Sequence, residues 1–414
     1  MLKFILSRWF LFFIFPLSVL IDLLNGYVQY VMGIRLPLGI IYRSLILFLM
    51  LYCVPALRDR WYKGYLLGLL VLLCLSLLFW GMFSDISYRV ELENIVRVAY
   101  ILLAIAMFKI IGSHVSKNVL VREVADYGFL IAIPICISYL TGWGQYSYGD
   151  NYGFGTKSFF VAGNDLTLTL FSSSLFASCA LFSHLNCYRS LRLSVILIAC
   201  VLIGTRTGTV GAVMVFVITV MYYLFVFKDQ KWRKALVLVF MIPLVSCVVY
   251  VFGSYVYSSY DEYALSKYEF DNIITARDFL IDGAKKHISE FDGMTCFVGE
   301  GAYALFSSVA QVSGEGEGQR VVEADFYEII GSYGYLLGGA IMFPFCFYAL
   351  GAVNVWLRER NYLVFCMMVL LVSFIIVSFL AGHAIKNVMF APVYGIAVSL
   401  LFNKVEWKEL RTLK

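Results

Sequence analysis

Charge is scarce in this chain. Of its 414 residues, 14% are Asp, Glu, Lys or Arg and 61% are hydrophobic, whereas soluble domains carry about 25% charged residues. That excludes an ordinary soluble domain, and the mean hydropathy of +0.83 agrees. Histidine is rarer still, with four residues. No H-E-x-x-H, C-x-x-C or P-loop pattern occurs, so the common zinc, thiol-redox and NTPase signatures are missing. The ten cysteines are scattered in or beside apolar runs. Cys296 alone falls in a polar stretch, which therefore has no internal disulfide. The short alternating strands of a membrane β-barrel are lacking too. The net charge of +5 sits in short loops rather than in one patch, so it is no nucleic-acid signature. Lys3 and Arg8 before an apolar run imitate a signal peptide. The run reaches Asn25-Gly26 without a small-x-small cleavage site, so it reads as an uncleaved first helix.

What is present is a recurrence of apolar runs near the roughly 20 residues that span a hydrocarbon core. The fold class is an all-α polytopic membrane protein. Twelve spans are expected, at about 4–24, 36–55, 64–83, 95–112, 126–141, 164–184, 191–204, 207–227, 235–256, 326–351, 362–381 and 385–402. Lysines and arginines of the short loops alternate along them. Arg58, Arg60, Lys63, Lys109, Lys117, Arg122, Arg189, Arg192, Lys228, Lys231, Arg233, Lys234, Arg358 and Arg360 fall on one side with both termini. The positive-inside rule makes that side cytoplasmic. The expected organisation is nine spans over 1–256, a large extracytoplasmic loop over 257–325, and three spans with a cytoplasmic tail over 326–414.

The long polar segment from Tyr257 to Gly334 organises the chain. Asn272 to Ile288 places Ile273, Ala276, Phe279, Leu280 and Ala284 on one helical face and predicts an interfacial helix. Ser313 to Gln319 reads as a linker by composition. Gly299 and Gly301 would allow close backbone approach.

Several polar residues beside apolar runs ask for a reason. Arg206, between two spans, is either a loop arginine or an anion contact; its Gly-flanked turn favours the contact, for which a planar guanidinium suits phosphate. Arg277 reads as a solvated pair with Asp278 or as a second anion contact. Asp325 reads first as a complement to the dipole of the following helix. Glu323 shares a helical face with Tyr327 rather than with Asp325. Two carboxylates without a third ligand are weak evidence for a metal. Asn164-Asp165 reads as a helix N-cap. The Tyr- and Gly-rich run from Trp143 to Gly155 suits either an interfacial aromatic belt or sugar stacking.

Together, the span pattern and the motifs GTRTGTVGA, TARDFLIDGA, VGEGAY and EADFYEIIGSYGYLLGG resemble the O-antigen ligase and Wzy-type polysaccharide polymerase superfamily. The first is similar to the family's Ser/Thr-Arg-Gly opening of a span, the second and third to its arginine helix and Gly-x-Gly. The fourth is similar to the segment that enters the tenth span. Ligases carry histidine where this chain has Glu323, and Glu-x-Asp-Phe looks more like polymerases. The resemblance implies a metal-independent, cofactor-free glycosyltransferase of GT-C type in the bacterial cytoplasmic membrane. It implies undecaprenyl-pyrophosphate-linked oligosaccharides as substrates, with a chain-length regulator as partner. Arg206 and Arg277 would hold the pyrophosphate and Glu323 the acceptor hydroxyl, with Asp325 beside it. Asn164, Tyr327, Gly299 and Gly301 would line the substrate. The competing expectations are a ligase acting on a lipid A core and, in another class, a lipid-linked oligosaccharide flippase.

Overall fold

The computed structural model describes residues 8–34, 36–83, 86–147, 155–183, 185–226, 270–312, 320–380 and 382–403. The expected ninth span at 235–256, the residues 257–269, the Ser313–Gln319 linker and the side chain of Arg277 lie outside the described residues.

Among these, nine helices are long and apolar enough to cross a membrane. They are α1 (Trp9–Val31), α2 (Leu38–Ala56), α3 (Arg60–Met82), α4 (Tyr88–Ile111), α5 (Lys117–Thr141), α6 (Gly163–Ser183), α8 (Arg206–Leu224), α12 (Asp325–Glu359) and α13 (Tyr362–Leu380). Two shorter helices, α7 (Cys187–Leu202) and α14 (Ala391–Phe402), pack with them among the described residues. A two-stranded ribbon, β1 (Gln145–Tyr146) with β2 (Thr156–Ser158), joins α5 to α6. Three helices follow α8: α9 (Phe270–Ser289), α10 (Thr295–Val298) and α11 (Ala302–Val312).

Helices α4, α6 and α14 form the centre, and every residue from Ala391 to Leu401 is buried. Lipid gives helices no hydrophobic reason to associate, so close contact of small residues and side-chain hydrogen bonds must hold them. Helix α6 supplies buried Ser172, Ser173, Ser174 and Ser178, and Ser178 shares a 2.8 Å hydrogen bond with Thr219 of α8. A Cβ on Gly395 of α14 would lie 2.7 Å from the Ala104 carbonyl of α4. By contrast α2 and α3 leave Leu45, Phe48, Val71, Leu75 and Leu78 exposed, an apolar face for lipid.

Two elements depart from regular spans. Helix α14 has 12 residues, about 18 Å of length against a core of about 30 Å. The expectation began this span at 385, but the helix begins at Ala391 and residues 382–390 are irregular. Helix α12 is broken at Gly334, with φ 71° and ψ 179°. Gly299 fits into that break. A Cβ on Gly334 would lie 2.6 Å from the Gly299 nitrogen, and one on Gly299 would lie 2.3 Å from the Ser332 carbonyl oxygen. Gly334→Ala combines this clash with a left-handed backbone and is expected to cost at least about 1–3 kcal/mol, read as a lower melting temperature in detergent. An unchanged melting temperature would mean that α12 can straighten without loss.

Helices α9 and α11 build a second core from Leu280, Ala284, Leu305, Phe306 and Val309, closed by Val322, Ala324 and, from α4, Val90. Leu280 and Ala284 of the expected amphipathic face are thus turned onto protein, while Phe279 is 41% exposed.

Candidate functional site

The irregular segment 382–390 gathers the polar groups at the end of the bundle that carries α9 to α11. Gly382 and His383 both have left-handed backbones, φ 64° and 58°, so the chain turns sharply after α13. The turn is held from several sides. Asp325 Oδ2 accepts from the Ala384 and Ile385 N–H groups at 2.7 and 2.9 Å. Lys386 Nζ donates to Glu328 Oε1 at 2.6 Å and to Asn94 Oδ1 at 2.5 Å. Asn387 Nδ2 donates to the Asp165 carbonyl at 2.9 Å, and its Oδ1 accepts from Phe390 N–H at the start of α14. Irregular backbone at membrane depth survives only when it is buried in protein or lines a wet cavity, and these bonds meet that condition.

Of the polar residues named from the sequence, Glu323 and Asp325 lie against this turn. Glu323 is half-buried and its backbone abuts Gly382, where a Cβ would lie 2.6 Å from the Glu323 carbonyl carbon. Asn164 is exposed, next to the Asp165 that Asn387 holds. Arg206, half-buried, opens α8. It is fixed through its neighbour Thr205, whose Oγ1 accepts from Gly208 N–H at 3.2 Å and shares a 2.8 Å hydrogen bond with Thr167 of α6. Gly204 takes φ 75°, and a Cβ on Gly208 would lie 2.4 Å from the Cys200 carbonyl oxygen. The glycines flanking Arg206 are therefore needed by the turn itself. Arg277 lies on α9. Tyr327 is half-buried, its ring 5.5 Å from that of Phe326 and 5.9 Å below Lys285 Nζ.

Three expectations change in detail. Asp325 was expected to serve the N–H groups of its own helix. It stands instead as the first helical residue, after Ala324, which makes no side-chain cap, and its carboxylate reaches across to the free N–H groups of the 382–387 turn. Gly299 and Gly301 approach protein rather than open space. Gly299 fills the break in α12, with its carbonyl accepting from Trp80 Nε1 at 3.0 Å. Gly301 leaves room for Glu91, whose carboxylate accepts from Ala302 and Tyr303 N–H at 2.9 and 2.7 Å and caps α11.

Between α9 and the loop before α11, His287 Nε2 lies 3.8 Å from Glu300 Oε2. Burial pushes the imidazole below its ordinary range, against an opposing pull from Glu290 and a Gly331 backbone bond. Burial, with Asp292 and Glu290, pushes Glu300 up. Both shifts favour the uncharged forms and so weaken the contact as an ion pair.

Sequence reasoning passed over His383, Lys386, Asn387, Glu328, Glu91 and Asn94. The available signal was polar residues inside apolar runs, which are rare and mark sites; Lys386 and Asn387 stand at the start of the last expected span. The charges cooperate. The His383 ring lies within electrostatic reach of both Asp165 and Asp325, and Arg43 and Arg97 within reach of Asp165. Half-buried carboxylate, imidazole and guanidinium groups at one end of the bundle can accept a proton and hold an anion. Among the described residues no group of three or more His, Cys, Asp and Glu is placed to hold a metal ion.

The sequence model of a family described as O-antigen ligase like membrane protein matches residues 4–278, more than half of the chain. No curated protein matches it.

Proposed function

Because this chain belongs to the family of O-antigen ligase like membrane proteins, we propose that it is a polysaccharide polymerase working on lipid-linked sugars at the outer face of the bacterial cytoplasmic membrane. Both termini and the short basic loops would be cytoplasmic, and α9 to α11 would stand outside. The donor is a growing glycan on undecaprenyl pyrophosphate and the acceptor a single lipid-linked repeat. A hydroxyl of the acceptor attacks the anomeric carbon of the donor as the bond to the pyrophosphate oxygen breaks. The hydroxyl proton passes to Glu323, within the range of work a positioned carboxylate does. Arg206 and Arg277 take up the charge that grows on the leaving pyrophosphate, an electrostatic contribution larger than most others in such sites.

The observation that carries this reading is Glu323 itself. Glu323 is half-buried at the mouth of α12 with its backbone against Gly382, in the position where ligases of the resembling superfamily carry histidine. The test is reconstitution of the purified protein with its lipid-linked repeat. A ladder of products separated by one repeat is expected. A single product on a lipid A core would make it a ligase, and movement of the repeat across the bilayer without new glycosidic bonds would make it a transporter.

A further inference from the structure

The opposite end of the bundle carries a second cluster of charge that glycosyl transfer does not use. Arg122 and Asp126 lie in the first turns of α5, and Arg189 and Arg192 in those of α7. Asp126 accepts from Arg192 Nη1 through Oδ1 and faces Arg122 Nε through Oδ2 at 3.5 Å. Arg189 Nη1 donates to the Ala180 carbonyl at 2.6 Å and to Ser183 Oγ at 2.7 Å, closing the end of α6. Arg189 also lies within electrostatic reach of Arg192 and Arg122. Three guanidinium groups thus lie within electrostatic reach of the Asp126 carboxylate.

Arg192 is the informative member. Its side chain is 2% exposed, yet Nε and Nη2 are buried without a hydrogen-bond partner. A buried donor left unpaired costs about 1–3 kcal/mol, more when it is charged. Two such donors on one guanidinium, with Arg122 and Arg189 close by, fit an anion with several acceptor oxygens. Guanidinium and phosphate match in this way, with paired donors on a planar fork. The surroundings indicate how the anion arrives. Tyr188 lies 5.8 Å from the Arg192 guanidinium carbon, packs edge-on against Phe129 and is 54% exposed, as Leu191 is 50% exposed. Exposed aromatic and aliphatic side chains beside arginines at helix ends are the pattern of the headgroup level of a bilayer.

We propose that Arg122, Arg189 and Arg192 form a binding site for the phosphodiester of an anionic phospholipid, at the end of the bundle away from the candidate active site. Basic pockets between membrane helices take anionic headgroups in this manner. The site is independent of the polymerase reading, because it uses none of the residues assigned to transfer.

The experiment measures the melting temperature of the full-length protein in neutral detergent while phosphatidylglycerol, phosphatidylcholine or inorganic phosphate is titrated. A ligand that binds the folded state raises that temperature and saturates. Phosphatidylglycerol is expected to do so, and phosphatidylcholine at equal concentration is not. Arg122→Gln removes a side chain that is 71% exposed and is expected to weaken phosphatidylglycerol about tenfold, the loss of one charge-assisted bond. Arg192→Lys keeps the charge but removes the two idle donors, and is expected to weaken it at least as much. Asp126→Asn removes the competing carboxylate and is expected to tighten it, a direction that damage to the fold cannot produce. Equal stabilisation by both lipids, or an Asp126→Asn variant that binds more weakly, would overturn the proposal. Inorganic phosphate matching phosphatidylglycerol at the same concentration would overturn the lipid as the source of the anion.

Discussion

Glu323→Gln is expected to reach wild-type abundance and to make little or no polymer. Glutamine keeps the size of the side chain and its place beside Gly382 but cannot take a proton. A general base is worth about 10²–10⁴-fold, enough to erase a glycan ladder. Arg206→Ala should fail equally, and Arg206→Lys should recover only part, because lysine restores the charge without the planar fork. The fixed turn around Thr205 is retained in both, so protein levels should hold. Asp325→Asn supplies the contrast. An amide oxygen can still accept from Ala384 and Ile385, so activity should fall little. Asp325→Ala strands both N–H groups and should lower stability by about 1–3 kcal/mol. Wild-type ladders from Glu323→Gln, with a dead but abundant Asp325→Asn, would exchange the two roles.

Lys386→Met is expected to be strongly destabilising. Lys386 and Glu328 are 8% and 2% exposed, and the lysine is held to the glutamate and to Asn94. Removing one partner of a buried pair leaves an uncompensated charge and costs about 3–5 kcal/mol. Glu328→Leu alone should cost a similar amount. The double variant Lys386→Met/Glu328→Leu should recover most of the loss, since apolar replacements of a buried pair are often neutral or better. Thermal unfolding in detergent reads all three. Simple addition of the two single losses in the double variant would mean that the pair does not act as a unit, and the 382–387 turn would need another support.

Much of the architecture is legible in the sequence because it depends on local composition. The length and spacing of apolar runs identify membrane helices one at a time, and Gly204 and Gly208 announce a turn whatever lies around it. Amphipathic spacing likewise marks Leu280 and Ala284 as one face of a helix. What that face meets is not local. The sequence suggests lipid, and the fold supplies Leu305 and Val309 of α11. The same holds for Gly299 and Gly301, where composition reports that a side chain is missing but not which neighbour needs the space.

The sequence by itself determined that the chain is helical and lies in a membrane, since hydrophobicity over about 20 residues is a property of each segment alone. It also determined which polar residues required an explanation. Only the tertiary structure decided who their partners are. Asn94 and Lys386 stand 292 positions apart, and Glu91 and Ala302 stand 211 apart; no periodicity encodes such pairs. Inside a membrane a charge must find its counterpart in another helix, because water is not there to serve. The broken last span follows from that constraint. Residues 385–390 are apolar enough to be read as the start of a helix, but Asp325, Glu328, Asn94 and Asp165 together hold them in a turn.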